Sequence, residues 1–295
     1  MSDDLLVDKR LVRRSFERAA VTYDAAAVLQ NEVCQRALDR LDYIRHRPAI
    51  ILDAGSGTGN ALAALAHRYP RARLVALDIA LAMLQRGRRR LPWWKNLLAR
   101  RSPPVAVCGD IERLPAAAGS IDMVWSNLAL QWANDPQQAF SEMQRVLAPG
   151  GLLMFSTFGP DTLKELRRAY QEADRHTHVN RFIDMHDIGD MLVHCGFADP
   201  VMDMEIFTMT YADVRELMRD LKAIGAHNVT HGRPGGLSGK SRFDAMARNY
   251  EAFRHDGRLP ATFEVVYGHA WKPQPRVSPT GRRVIEIKAR GEGGT

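Results

Sequence analysis

Two aspartates and three glycines form the first set of residues whose types and spacing could do chemistry. The stretch Ile50-Ile51-Leu52-Asp53 is apolar, rich in β-branched residues and ends in an acid. Gly55, Gly57 and Gly59 follow at alternate positions, and Ala61 to Tyr69 then has helical composition. Strand, tight turn and helix in this order predict the opening unit of a nucleotide-binding α/β sheet. Glycines without Cβ let a ligand lie against the backbone, and the next helix points its positive end at the same place. The spacing is G-x-G-x-G, whereas a dinucleotide fingerprint reads G-x-G-x-x-G. Asp53 would repel a pyrophosphate and favour a ligand carrying an ammonium and a sulfonium. About 20 residues on, at the offset of a ribose-binding acid, Leu74-Val75-Ala76-Leu77 ends in Asp78.

With these residues the chain resembles the class I methyltransferases that use S-adenosylmethionine. The resemblance implies cofactor contacts from Asp53, Gly55, Gly57, Gly59, Asp78 and its neighbour Ile79. It also places Asp110 of Gly109-Asp110-Ile111-Glu112 at the adenine amino group and Ile111 against the ring. Read on its own, Asp110 could equally cap a short helix. Asn127 and Leu128 follow a fourth predicted strand, Ile121 to Ser126, at the end where ligands of open α/β sheets bind. Phe16 to Asp24 resembles an N-terminal flap in which Tyr23 closes the pocket; an ordinary core aromatic is the other reading of Tyr23.

The elements that must position these residues follow from periodicity. Val12, Phe16, Ala20 and Tyr23, then Leu29, Val33, Ala37 and Leu41, predict two amphipathic helices across the mouth of the first strand, a flap over about 8–45. Strands alternate with helices through Leu152–Thr157, which argues for a parallel sheet. Pro136 to Leu147 is the last helix of this run, stopped by Pro149-Gly150-Gly151. Val201–Thr208 and Thr262–Trp271 would add an antiparallel edge pair. The expected fold is α/β: a Rossmann-like class I methyltransferase with a seven-stranded, mostly parallel sheet, helices on both faces and a helical lid. One domain spans 1–272, with lid inserts at about 160–196 and 209–256. Residues 273–295, rich in Pro, Gly and Arg, are expected to be a mobile tail.

The resemblance sharpens beyond the cofactor half. Ser126-Asn127-Leu128-Ala129-Leu130-Gln131-Trp132, Phe158-Gly159-Pro160-Asp161-Thr162-Leu163, Asn180-Arg181-Phe182, Asp220 to Asn228 and Leu259-Pro260-Ala261-Thr262-Phe263-Glu264 recur in one family. By these the chain, from about Arg13 to Pro275, is similar to the BioC family, the malonyl-acyl carrier protein O-methyltransferases of biotin synthesis. That family methylates the free carboxylate of a malonyl thioester. Such a carboxylate is already ionised at neutral pH, so no general base is needed. Orientation can then supply roughly 7–11 kcal/mol of the barrier. Arg181, Lys222 and His227 are the candidates to steer the carboxylate, with Gln131 and Trp132 across from them. Arg181 is the best physical choice because its fork takes a carboxylate bidentately. A loop salt bridge, a solvated helix position and a satisfied loop histidine are their respective structural alternatives.

Composition bounds the rest. The 295 residues are 45% hydrophobic with a formal charge of +7, which suggests an acidic partner. By resemblance this is an acidic acyl carrier protein bearing the malonyl thioester, or malonyl-coenzyme A. The basic stretch Arg86 to Arg101, interleaved with Trp93 and Trp94, reads as a carrier landing site, a nucleic-acid surface or a solvated face; Arg167/Arg168 is a second patch. Most aromatics fall in strands or the lid, against a stacking groove for nucleic acid. Three scattered cysteines without C-x-x-C fit reduced thiols in the cytoplasm. No apolar run could span a membrane and the opening residues are not a secretory signal. The histidines lack a third ligand at metal spacing, so no metal is expected. Rival readings are a relative of the complex I assembly factors, a methyltransferase of another small acid or quinone precursor, and a basic nucleic-acid-binding protein.

Overall fold

A computed structural model describes residues 7–90, 103–172, 178–226 and 240–275. His227, most of the basic stretch 86–101 and most of the tail lie outside them. Seven strands form one sheet in the order β3-β2-β1-β4-β5-β7-β6. They are β1 Ile50–Ala54, β2 Arg73–Asp78, β3 Val105–Cys108, β4 Ile121–Asn127, β5 Leu147–Phe158, β6 Ala198–Tyr211 and β7 Leu259–Trp271. All pairings are parallel except those of β7, which runs antiparallel to both β5 and β6. The chain order reverses beside β1, the topological switch point at which open sheets bind ligands.

Successive strand residues face opposite sides, and both sides are apolar here. Ile51, Met123, Trp125 and Met154 pack under Leu29, Val33 and Leu65 on one face. Leu52, Val124, Leu153 and Phe155 pack under Phe140, Met143 and Leu192 on the other. Helix Val28–Arg40 therefore belongs to a face layer and covers β4 and β5. Of the expected flap, only the helices Lys9–Ala19 and Tyr23–Ala26 overhang the glycine turn. Likewise Met185–His194, expected within the lid, packs beside Pro136–Val146 and against β6. Its apolar Ile188 and Leu192 found a free stretch of sheet face.

Pro149-Gly150-Gly151 ends the preceding helix at Val146 but is itself part of β5. The register against β4 slips between Ile121 and Met123, and Gly150 takes φ 79° to absorb the extra residues. β6 and β7 run longer than their sequence pattern, pairing from Tyr211↔Leu259 onward, well past the end of β5 at Phe158↔Val265. This projecting ribbon carries the lid helices Lys164–Gln171, Val214–Ala223 and Lys240–Tyr250.

The crossing from β5 to the first lid helix is strapped to β7. Thr162 and Glu264 exchange hydrogen bonds of 3.0 and 3.1 Å between hydroxyl and backbone, and Glu264 Oε2 accepts from Asp161 N at 2.7 Å. Glu165, buried, accepts from Thr262 N at 3.1 Å and Thr262 Oγ1 at 2.5 Å. Glu165→Ala would leave both donors buried and unmet, a loss of about 1–3 kcal/mol. The thermal midpoint is expected to fall by about 2–5 °C; an unchanged midpoint would contradict this anchoring.

Candidate active site

Asp53 is the next-to-last residue of β1, and the chain turns at Gly55, which adopts φ 84°. A Cβ there would lie 2.2 Å from Ala129 Cβ, so only glycine lets the turn press against the loop after β4. The turn is fixed by Leu77 O, which accepts from Gly55 N and Ser56 N at 2.8 and 2.9 Å. Asp78 completes it: Oδ2 accepts from Gly57 N and Oδ1 from Ala80 N, both at 2.8 Å. The second acid is thus held rigidly by backbone donors at the lip of the turn.

Above it lies a cavity with about 600 Å³ of empty space. It brings together Tyr23, Gly55, Gly57, Asp78, Ile79, Asp110, Ile111, Asn127 and Leu128. Gly59 faces a different cavity behind the turn, and Asp53 lies beneath the floor, 3% exposed. The Oδ2 atom of Asp53 is buried with no hydrogen-bond partner. Burial pushes this carboxyl up to about 8, with a smaller push from Asp78. Burial also lifts Asp78 to about 6, against the two backbone donors that lower it. Burial and then Asp78 raise the Tyr23 phenol, which stays protonated at neutral pH.

Asp110 heads a turn rather than a helix; its Oδ1 accepts from Glu112 N at 3.0 Å. Leu128 takes a left-handed φ of 49°, and its N–H donates to Ser156 O and Ser156 Oγ, each at 3.1 Å.

The flap is latched over this cavity by contacts that pattern could not show. Lys9 Nζ lies 3.0 Å from Asp110 Oδ1 and 2.9 Å from Glu112 Oε2. Val7 and Asn134 exchange bonds of 2.7 and 3.0 Å, and Thr58 Oγ1 donates to Asp24 at 2.6 Å. Phe16 meets Trp132 edge-on at 5.2 Å. Lys9, Phe16 and Met83 line the cavity and were missed, because their partners are remote in sequence.

Trp132 also walls a second chamber, with about 980 Å³ of empty space, between β5, β7 and the lid. Its lining is mostly apolar: Phe158, Leu166, Phe182, Met218, Leu221, Phe263 and others. Gln131, Thr162, Tyr170, His178, Asn180 and Lys222 are among its polar residues, and Asn180 Oδ1 is buried without a partner. Lys222 is the one lysine or arginine among the described lining residues. Arg181 does not line this chamber. Asn180 lines the large chamber, Phe182 lines both, and Arg181 faces only a smaller cavity beside Gln131 and Thr157. Arg181 is exposed and makes no ion pair among the described residues, so the loop salt bridge is not found either. No group of three potential metal ligands occurs among the described residues.

Comparison with known proteins now bears on this geometry. A methyltransferase-domain family model matches residues 52–155. The YcgJ protein of Bacillus subtilis superposes with a TM-score of 0.56 at 16% identity, over 81% of this chain and 99% of that one. Phosphoethanolamine N-methyltransferase 2 of Haemonchus contortus, solved with S-adenosylhomocysteine, gives 0.53 at 17% identity over 91% and 61%. The fold is that of the Rossmann-like class I methyltransferases, and a methyltransferase domain lies at its centre. Malonyl-[acyl-carrier protein] O-methyltransferases of Gallionella capsiferriformans and Nitrosospira multiformis are 58% and 57% identical, covering 96% and 97% of this chain and 98% and 97% of their own. That of Coxiella burnetii is 44% identical over 90% of this chain and 88% of its own. The chain belongs to the malonyl-[acyl-carrier protein] O-methyltransferase family.

Both raised acids carry a sign. The folded chain holds protons that the unfolded chain releases, so their stabilisation is full below pH about 4 and is lost as pH rises. For Asp78 that loss runs through about 6 and for Asp53 through about 8. Without cofactor, the thermal midpoint should fall between about pH 5 and pH 8, and Asp53→Asn should flatten that slope. Parallel slopes for the two proteins would contradict the burial of a protonated Asp53.

Proposed function

We infer that the family's activity is this chain's own: methylation of the free carboxylate of a malonyl thioester carried on an acyl carrier protein. The carrying observation is the pair of cavities that share Trp132, one built on the glycine turn and the other largely apolar with Lys222 in its lining. In this reading the methyl ester primes the pimeloyl chain of biotin, malonyl-coenzyme A is a smaller substitute, and the protein works in the cytoplasm. No described helix is long and apolar enough to cross a membrane.

Bound in the first cavity, S-adenosylmethionine supplies a methyl group on a positively charged sulfur. The residues present suit it. Asp53, with an oxygen that lacks a partner, offers a buried counter-charge for the ammonium end. Asp78, rigidly held, offers an acceptor for the ribose hydroxyls, and Asp110 with Ile111 an acceptor and an apolar wall for the adenine. Gly55 and Gly57 let the ligand approach the backbone, Ile79, Asn127 and Leu128 close the sides, and Tyr23 donates from the flap. Gly59 acts at a distance by shaping the turn.

In the second chamber the carboxylate arrives ionised, so the protein's task is to orient and partly desolvate it. Lys222 takes the steering role that the sequence favoured for Arg181, because Lys222 reaches the large chamber and Arg181 does not. A lysine is a point charge that leaves the attacking lone pair free. The unmet carbonyl of Asn180 suits an amide N–H of the carrier's thioester arm. His227 keeps its proposed role, outside the described residues.

Labelled cofactor, malonyl carrier protein and enzyme should yield a base-labile methyl ester. Lys222→Ala should raise the KM for the malonyl thioester by about 10–100-fold, the equivalent of ~1.5–3 kcal/mol for a contact to a charged group, with cofactor affinity kept. A larger effect from Arg181→Ala than from Lys222→Ala would return the steering role to Arg181. No ester on the malonyl thioester, with label on RNA or a quinone precursor instead, would overturn the activity.

A further inference from the structure

Two helices overhang the cavities, and each carries cations that the fold leaves without an acid. On Lys9–Ala19, Val12 and Phe16 turn inward, while Arg10, Arg14 and Arg18 stand exposed at i, i+4 and i+8. Like charges at this spacing repel one another. The local acids are occupied elsewhere: Asp8 caps the helix through Arg10 N and Leu11 N, and Glu17 pairs with Arg13 at 2.9 Å. Among the described residues, none of the three arginines has an ion pair.

The lid helix Val214–Ala223 repeats the arrangement. Arg215, Arg219 and Lys222 are exposed at i, i+4 and i+7. Asp213 is the N-cap and accepts from Glu216 N at 2.9 Å. Glu216 accepts from Ala212 N at 2.7 Å, and Asp220 accepts from the Tyr211 hydroxyl at 3.0 Å. Among the described residues none of these carboxylates forms an ion pair with Arg215, Arg219 or Lys222.

The two helices meet at their C-terminal ends, in one seam. Thr22 Oγ1, just past the first helix, donates to Ala223 O at 2.9 Å. Gly225, at φ 77°, sits so close that a Cβ would lie 3.1 Å from Phe16 Cδ1 and 3.2 Å from Ala19 Cβ. Beside the seam, Lys222, Ile224 and Ala226 line the second chamber. The patches read from sequence fare differently: Arg167 donates to Pro160 O and Thr162 O at 2.9 and 3.0 Å, and Arg86 lies 3.5 Å from Asp24. Those two side chains serve the fold.

We propose that Arg10, Arg14 and Arg18 on the flap helix, with Arg215 and Arg219 on the lid helix, form the docking face for the carrier protein. The surface rests on the activity inferred above. It fits an acidic helix laid along the seam, with the thioester arm entering beside Ile224 and Ala226. Charge complementarity selects this occupant: two rows of cations without ion pairs among the described residues call for an anionic ridge, not for an apolar face.

The test uses the full chain with two variants, Arg10→Glu/Arg14→Glu/Arg18→Glu and Arg215→Glu/Arg219→Glu. Turnover is read with malonyl carrier protein and with malonyl-pantetheine, and carrier binding by fluorescence anisotropy. Each variant should weaken carrier binding and raise the carrier KM by at least about tenfold, with malonyl-pantetheine kinetics within about twofold. The salt dependence of carrier turnover should flatten in both. Carrier binding and KM unchanged, or equal loss of both substrates in folded variants, would overturn the proposal. Should either glutamate series fail to fold, the matching Arg→Gln series is read by the same criteria. Stripe-dependent carrier binding without methyl ester from the parent enzyme would sink the activity and keep the surface. Methyl ester formation indifferent to both stripes would sink the surface and keep the activity.

Discussion

An unpartnered carboxyl oxygen buried at the end of β1 is the constraint around which this molecule is arranged. Leaving such a group unmet costs about 1–3 kcal/mol, and burying it ionised would cost more. The cavity-free side of Asp53 is sealed by neighbours in β2 and β4, where it pairs in register with Ala76 and Trp125. The glycine turn that borders the first cavity begins two residues further on. A Cβ at Gly55 would not fit there, because the space is already filled by Ala129. In the proposed reading a cationic ligand recovers the cost, which makes the unmet oxygen part of the binding energy rather than a flaw in packing.

The two cavities are joined by their coverings as well as by Trp132. Phe16 packs on that ring from the flap, and the flap in turn holds the end of the lid helix through Thr22 and Gly225. The lid is fixed at its other side to the ribbon of β6 and β7 by Glu165 and Glu264. The two cavities and their covers thus form one connected body. Sequestering a carboxylate from water sharpens its interaction with a single nearby cation, which suits a reaction that needs alignment more than proton transfer.

Local signals were legible in the sequence. The strand carrying Asp53, the glycine spacing and Asp78 at its offset pointed to the opening unit of a nucleotide-binding sheet, alternation to its parallel pairing, and two long apolar segments to its antiparallel edge. Signals that depend on distant partners were not. Helices Val28–Arg40 and Met185–His194 have the apolar stripes of any packed helix, and nothing in a stripe says which face of a sheet it will meet. Arg181 followed an identifiable motif, yet which cavity it lines is set by tertiary packing that a motif does not carry. The Lys9 latch spans about a hundred residues to Asp110 and Glu112 and has no local pattern at all.

The most direct measurement is calorimetric titration with S-adenosylmethionine at pH 7 in buffers of different protonation enthalpy. With Asp53 near 8 before binding and ionised beside a cation afterwards, more than about half a proton should leave per ligand bound, and close to none from Asp53→Asn. Binding without proton release in the parent protein, or equal release from Asp53→Asn, would contradict the claim that this buried carboxyl receives the cofactor's charge.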